Sequence, residues 1–250
     1  MSPGHRVCGS SRVVAVVAGL VGLAGIAGCG GGDDAPSDAP VDAVFDAPID
    51  TPAACTGTAL TGEVVDWDAT SAKFCGVFNA TLTQRGATAV TDTTNPNGRF
   101  ELCVARQAQT VIDVAFSASP SECAVPQDVY PVPGVFVAEQ GVVESGVLLS
   151  ARAMTAMRRA TMFTQVGAAY SAAQAQLVVH VIGTTGAVTL AAAHATTQAF
   201  TGTTWQAGET GSDVFFANVA PGATQVTIGS KTVNVSLDAG VFTYLTIAAP

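Results

Sequence analysis

Basic side chains are what this chain has least of. Ten Lys and Arg stand against 19 Asp and Glu in 250 residues, giving a formal net charge of −9. Arg158-Arg159 is the only adjacent basic pair. Binding to phosphates needs a basic patch that releases counterions, so nucleic acid is excluded as a partner. Histidine is scarce, no C-x-x-C is present, and His180 and His194 lie far downstream of the cysteines. A zinc site needs such ligands in close pairs, so no metal and no cofactor are expected. A G-x-S-x-G nucleophile turn is also missing, no catalytic residue is assigned, and the chain is not expected to be an enzyme. Long apolar runs are lacking too. Val13 to Ala27 is 15 uncharged residues, short of the roughly 20 that span a bilayer. Extending it through Gly32 adds mainly glycine, a poor helix former.

That short run is nonetheless informative, because Arg6 and Arg12 precede it and small residues end it, the pattern of an export signal. Its close, Ile26-Ala27-Gly28-Cys29, resembles the lipobox of bacterial lipoproteins. The resemblance implies that residues 1–28 are a signal peptide cut after Gly28. It also implies that Cys29 is acylated and that the remainder is exported, with a lipid membrane as its partner. Each buried methylene of such chains contributes about 0.8 kcal/mol. Gly30 replaces the aspartate that retains lipoproteins at the inner membrane of enteric bacteria, which by the same resemblance favours the outer membrane.

Residues 29–54 read as a tether. Asp34, Asp38, Asp42, Asp46 and Asp50 recur every four residues with Pro36, Pro40, Pro48 and Pro52 among them. A helix would stack these like charges and lose donors at the prolines, so an extended, self-repelling linker is expected. Its 25 residues from Gly30 to Ala54 reach from about 28 Å as coil to about 78 Å when extended. Residues 55–250 hold 13 acids against eight bases, so the body carries −5.

Cys55, Cys75, Cys103 and Cys123 remain for the body. Export favours two disulfides, for which three connectivities are open. The equal 20-residue spacings of 55–75 and 103–123 favour those local pairs. Beyond Cys55 the chain alternates apolar and polar residues between Gly- or Asn-rich breaks, as strands of a sandwich do. Phe78, Ala80 and Leu82 form one such face. Others are Phe100, Leu102 and Val104, and then Ile112, Val114 and Phe116. Asn95-Pro96-Asn97-Gly98 is a turn. Asp92 to Gly98 is loosely like a calcium loop, but Val104 stands where the closing glutamate belongs.

Thr61-Gly62-Glu63-Val64-Val65-Asp66, then Gly86-Ala87-Thr88-Ala89-Val90, then Thr91-Asp92 with Asn97-Gly98-Arg99-Phe100-Glu101-Leu102 are similar to the carboxypeptidase regulatory-like, or transthyretin-like, β-sandwich family. The match covers about residues 55–120 and departs by the insertion Thr94-Asn95-Pro96. Gly186 to Leu190 and Gly211 to Gly222 resemble a second copy. The expected fold is all-β. Two tandem Greek-key sandwiches, 55–150 and 173–250, are joined by a helical connector over 151–172. Within that connector Ala151 to Gln165 reads as the helix, capped by Ser150, with Met154 and Met157 on one face. The family implies binding or scaffolding at the cell envelope, with an envelope protein or polysaccharide as partner. Trp67, between Asp66 and Asp68, and Trp205, near Gly208-Glu209, are the candidate residues for stacking on a sugar.

Overall fold

The computed structural model describes residues 55–70, 75–87, 89–116, 130, 132–183 and 186–250. The expected cleavage at Gly28, lipidation of Cys29, the tether and Cys123 lie outside the described residues. Strands dominate. The first seven are β1 (Thr58–Asp66), β2 (Thr81–Gln84), β3 (Thr91–Thr93), β4 (Arg99–Val104), β5 (Gln109–Ala115), β6 (Gly134–Glu139) and β7 (Leu149–Ala153). Helix α1 (Gln140–Glu144) separates β6 from β7, and α2 (Ala156–Gln165) follows β7. The remaining strands are β8 (Ala175–Ile182), β9 (Val188–Leu190), β10 (Thr196–Phe200), β11 (Trp205–Ala207), β12 (Asp213–Val219), β13 (Gly222–Ile228), β14 (Lys231–Leu237) and β15 (Phe242–Ala248).

The all-β sandwich class expected from the sequence is what forms, and its layering follows from the alternation. A nine-stranded sheet has the order β11-β10-β12-β8-β15-β6-β5-β2-β3, and two three-stranded sheets run β4-β1-β7 and β14-β13-β9. One face of the large sheet sends Ile112, Phe136, Val178, Phe215, Phe242 and Tyr244 into a core shared with Leu60, Val64, Phe100, Leu102 and Leu149 of β4-β1-β7. The opposite face sends Val137, Leu177, Val179, Val214, Phe216, Leu245 and Ile247 into a second core with Val226, Ile228, Val233 and Val235 of β14-β13-β9. Period-two side chains therefore feed two cores from one sheet.

The expected division into 55–150 and 173–250 is crossed by this sheet. β15, at the end of the second stretch, pairs in parallel with β6 of the first and with β8 of its own. Residues 51–250 accordingly form one compact unit. The connector also differs from expectation. Leu149 to Ala153 is a strand, parallel to β1, with Leu149, Ala151 and Ala153 buried. Alanine spacing resembles a helix, but the alternating burial here is that of a strand. The helix starts only at Ala156, where the Thr155 hydroxyl accepts from Arg158 N at 3.2 Å. Met154 is buried and Met157 is 56% exposed, so the two do not share a face, and Met162 and Phe163 form the inward face of α2. Among the described residues no helix is long and apolar enough to cross a membrane.

The cysteines correct the local pairing. Cys55 is bonded to Cys103, with 5.4 Å between Cα atoms, which overturns both 55–75 and 103–123. Antiparallel pairing of β1 with β4 sets Thr58 opposite Val104 and Ala59 opposite Cys103, and the bend at Thr56-Gly57 turns Cys55 back onto Cys103. Equal spacing along the chain carried no information about this strand neighbour. Cys75 is buried and also disulfide-bonded.

Replacing Cys55 and Cys103 together by serine is expected to lower stability by about 2–4 kcal/mol in urea unfolding, because a loop of this length is no longer closed in the unfolded chain. Non-reducing peptide mapping that recovers Cys55 on a Cys75 peptide would contradict the assigned bridge.

Candidate functional site

The two tryptophans singled out by the sequence meet, but not at a surface. Trp67 follows β1 and is fully buried. Its ring stacks on Trp205 with centroids 4.5 Å apart and planes inclined by 17°. Phe215 and Phe242 meet Trp67 edge-on at 5.1 and 6.1 Å. Trp205, at the start of β11, is half-buried and donates weakly from Nε1 to the Trp67 carbonyl at 3.5 Å. Expected exposed loop tryptophans are thus replaced by an aromatic cluster that closes one end of the first core. Such geometry favours mutual packing over a free sugar platform.

The flanking acids hold the turn. Asp66 Oδ1 accepts from Asp68 N at 3.1 Å, and Asp66 Oδ2 accepts from the Tyr130 hydroxyl at 3.2 Å. Asp68 takes two bonds from Arg158 of α2, at 2.6 and 3.1 Å. These carboxylates therefore tie the Trp67 turn to neighbouring elements.

Beside the tryptophans lies a buried ionic group that sequence reading missed. Phe200, Asp213, His180 and Thr246 form one cross-strand row over β10, β12, β8 and β15. Asp213 Oδ1 accepts from His180 Nδ1 at 2.8 Å; a carboxylate acceptor requires the proton on that nitrogen. Asp213 Oδ2 accepts from Arg152 Nε and from Ser212 Oγ, both at 3.1 Å. Arg152 Nη1 donates to the carbonyls of Trp67 and Ala69 at 3.2 and 2.7 Å, and its guanidinium lies 4.1 Å from the Phe200 ring centroid. One arginine on β7 thereby holds the Trp67 turn, the carboxylate on β12 and the ring on β10.

Burial by itself pushes the Asp213 carboxyl up, but hydrogen bonds and charges from His180 and Arg152 outweigh it and hold the group below its ordinary value. Chemically the row holds an aspartate–histidine pair. Ser212 Oγ bonds to the aspartate rather than standing at His180 Nε2. Among the described residues no three metal-ligating side chains converge. Asp92 Oδ2 and Asn95 Oδ1, the oxygens of the calcium-like loop, accept backbone N–H groups of Glu101, Asn97 and Arg99 instead.

A cleft of about 310 Å³ opens beside the arginine, lined by Glu63, Val65, Ala69, Thr70, Ser150, Arg152, Phe200 and Gly202. A second, of about 490 Å³, lies between β4 and β3 and is lined by Thr61, Asp92, Asn95, Arg99 and Glu101 among others. The signal that would have found the ionic group is local: Asp213 shares an inward face with Phe215 and Ala217, and His180 shares one with Val178. Polar residues on an apolar stripe call for partners.

No family model and no curated protein matches this chain. Among solved structures it is similar to the Bacillus anthracis TIE protein, at 11% identity and a TM-score of 0.22, over 76% of this chain and 34% of that one. It thus spans about a third of the length of that relative. It is also similar to GBS52, the minor pilin of the gram-positive pathogen Streptococcus agalactiae, at 10% identity and a TM-score of 0.21, over 77% of this chain and 95% of that one.

Two outcomes are expected. Asp213→Ala leaves Arg152 without its buried partner and should cost about 3–5 kcal/mol in denaturant unfolding. Because the folded carboxyl lies below its unfolded value, its contribution is present above about pH 4 and is lost as pH falls through the folded value. Asp213→Asn should therefore flatten the acid limb of the stability curve, and an unchanged limb would show that the aspartate is not held ionised.

Proposed function

We propose that this chain is an exported bacterial lipoprotein, moored to an envelope membrane through Cys29 and carrying a non-catalytic body that binds or scaffolds an envelope component. The sequence Ile26-Ala27-Gly28-Cys29, placed after a short uncharged run, carries the reading. The Cys55–Cys103 bridge supports it, since such bonds persist in oxidising compartments and are rare where thiols are kept reduced. An acidic, proline-spaced linker between Cys29 and Cys55 suits a spacer that lifts the body off its membrane, the outer membrane in this reading. The body is taken as carboxypeptidase regulatory-like on the residues of β1, the β2–β3 stretch and β4 that resemble that family.

A polysaccharide-binding role through Trp67 and Trp205 is the lesser reading, because sugar stacking needs a bare aromatic face and Trp67 offers none. An exposed stretch of strand edge serves a protein partner better.

Cys29→Ala is expected to move the protein from the membrane pellet to the soluble or signal-retained fraction. Mass spectrometry of the wild-type N-terminal peptide should find residue 29 as the first residue, bearing acyl chains. A wild-type peptide that begins upstream of Cys29, with an unmodified thiol, would refute the anchor.

A further inference from the structure

Among the described residues β14 ends its sheet, and apart from the Asn234 carbonyl, which Gln109 reaches, no hydrogen bond occupies its outer ladder. Ala191 N donates to the Gln225 carbonyl, which turns the Gln225 backbone toward β9. Asn234, its partner on β14, therefore directs its own N–H and C=O away from β13. Gln109 Nε2 donates to that Asn234 carbonyl at 2.9 Å, an independent sign of the same direction. By alternation Thr232 and Ser236 face outward as well, and all three residues are exposed.

Among the described strands the other edges are shorter than β14, and β7, with five residues, carries Arg152. β3, β9 and β11 have three residues each. On β4 the Arg99 carbonyl accepts from Asn95 N, and Glu101 N donates to Asp92. β14 has seven residues; its first, Lys231, is paired with Glu139, and from Thr232 to Leu237 it contains no charge, proline or glycine. Those are the devices that usually blunt an edge.

A polar shelf lies under this edge. Val111 packs against the second core, so Asp113 on β5 shares its face. Strand pairing carries Thr81 and Thr83 of β2, then Thr91 and Thr93 of β3, onto it. Arg85 Nη2 reaches Asp113 at 2.6 Å and Asp238 at 3.1 Å, one guanidinium between two carboxylates. Sheets pack about 10 Å apart and strands about 4.8 Å apart. A strand added to β14 thus lies above β5 and β2 and points alternate side chains at threonine hydroxyls and the surplus carboxylate.

We propose that β14 and this shelf form a docking slot for an extended, base-bearing segment of a partner protein, which joins the sheet as an added strand. Charge decides the occupant, since the slot carries one unneutralised acid in a body of −5. A second copy of this chain does not fit. Antiparallel joining of two β14 edges would set both shelves on the same side, and each shelf is three strands, or about 14 Å, wide. The slot belongs to the body alone, so its failure would leave the lipid attachment untouched.

The test selects phage-displayed random heptapeptides on the full chain in detergent, then titrates the synthesised winner while amide exchange is followed. Winners should carry Lys or Arg at alternate positions and slow exchange at Thr232, Asn234 and Ser236 by about tenfold or more. Ser236→Pro removes an outward N–H that β13 does not use, and should weaken binding about tenfold with the melting temperature kept. Should that variant not fold, a winner N-methylated at alternate amides replaces it and must bind about tenfold more weakly. No winner, protection confined to other strands, undiminished binding by Ser236→Pro or by the N-methylated peptide, or self-association that protects the same amides would each overturn the proposal.

Discussion

The parallel pairing of β15 with β6 and β8 joins the two stretches of this body. Both faces of β15 are buried, with Phe242 and Tyr244 in one core and Leu245 and Ile247 in the other. A strand covered on both sides can carry apolar residues without a break, and Phe242 to Ile247 is buried throughout. Because this strand follows every other strand of the large sheet in sequence, the sheet is completed only after β8, β10, β11 and β12 have been made. Such non-local pairing makes for slow folding, since loop closure is paid before the contacts reward it. Remove β15, and each core loses one wall.

The ionic group at Asp213 sits where this sheet meets the edge of β4-β1-β7. Its arginine bonds to two backbone carbonyls near Trp67 as well as to the aspartate, so charge is neutralised and the turn is fixed by the same side chain. Buried charges are costly unless engaged, and here Arg152 Nε and Nη1 and both Asp213 oxygens have partners. Placement beside the Trp67–Trp205 stack gives that end of the core one defined arrangement.

Alternation made the individual strands legible. Phe100, Leu102 and Val104, then Ile112 and Val114, then Val226, Ile228, Val233 and Val235 are buried as the pattern requires. The Asn95–Gly98 turn closes with Gly98 N donating to the Asn95 carbonyl at 2.8 Å. Gly98 has φ +72, and a Cβ there would lie against the Val64 carbonyl, so glycine is required. What alternation cannot encode is which strand lies beside which, because every apolar face is equally hungry for cover. That is why β6–β15 pairing and the Cys55–Cys103 bridge escaped the sequence. Phe78 shows the same limit locally. Its neighbour Asn79 takes φ 62, which breaks the strand and leaves the ring 45% exposed beside a buried Ala80. At the candidate site the sequence points to Trp67 and Trp205 separately, as surfaces for a sugar, and only three-dimensional placement shows them stacked on each other. Arg152, Asp213 and His180 are too far apart in the chain to signal their meeting.

The position of the Cys55–Cys103 bond has a mechanical meaning. A pull on the residues before Cys55 would, without it, peel β1 from β4 starting at Thr58 and Val104, breaking ladder bonds one after another. The Cys55–Cys103 bond at that end passes the pull directly into β4 as well, so the β1–β4 ladder is bypassed rather than unzipped. Through this bond Cys55 is joined covalently to two strands of the sheet instead of one.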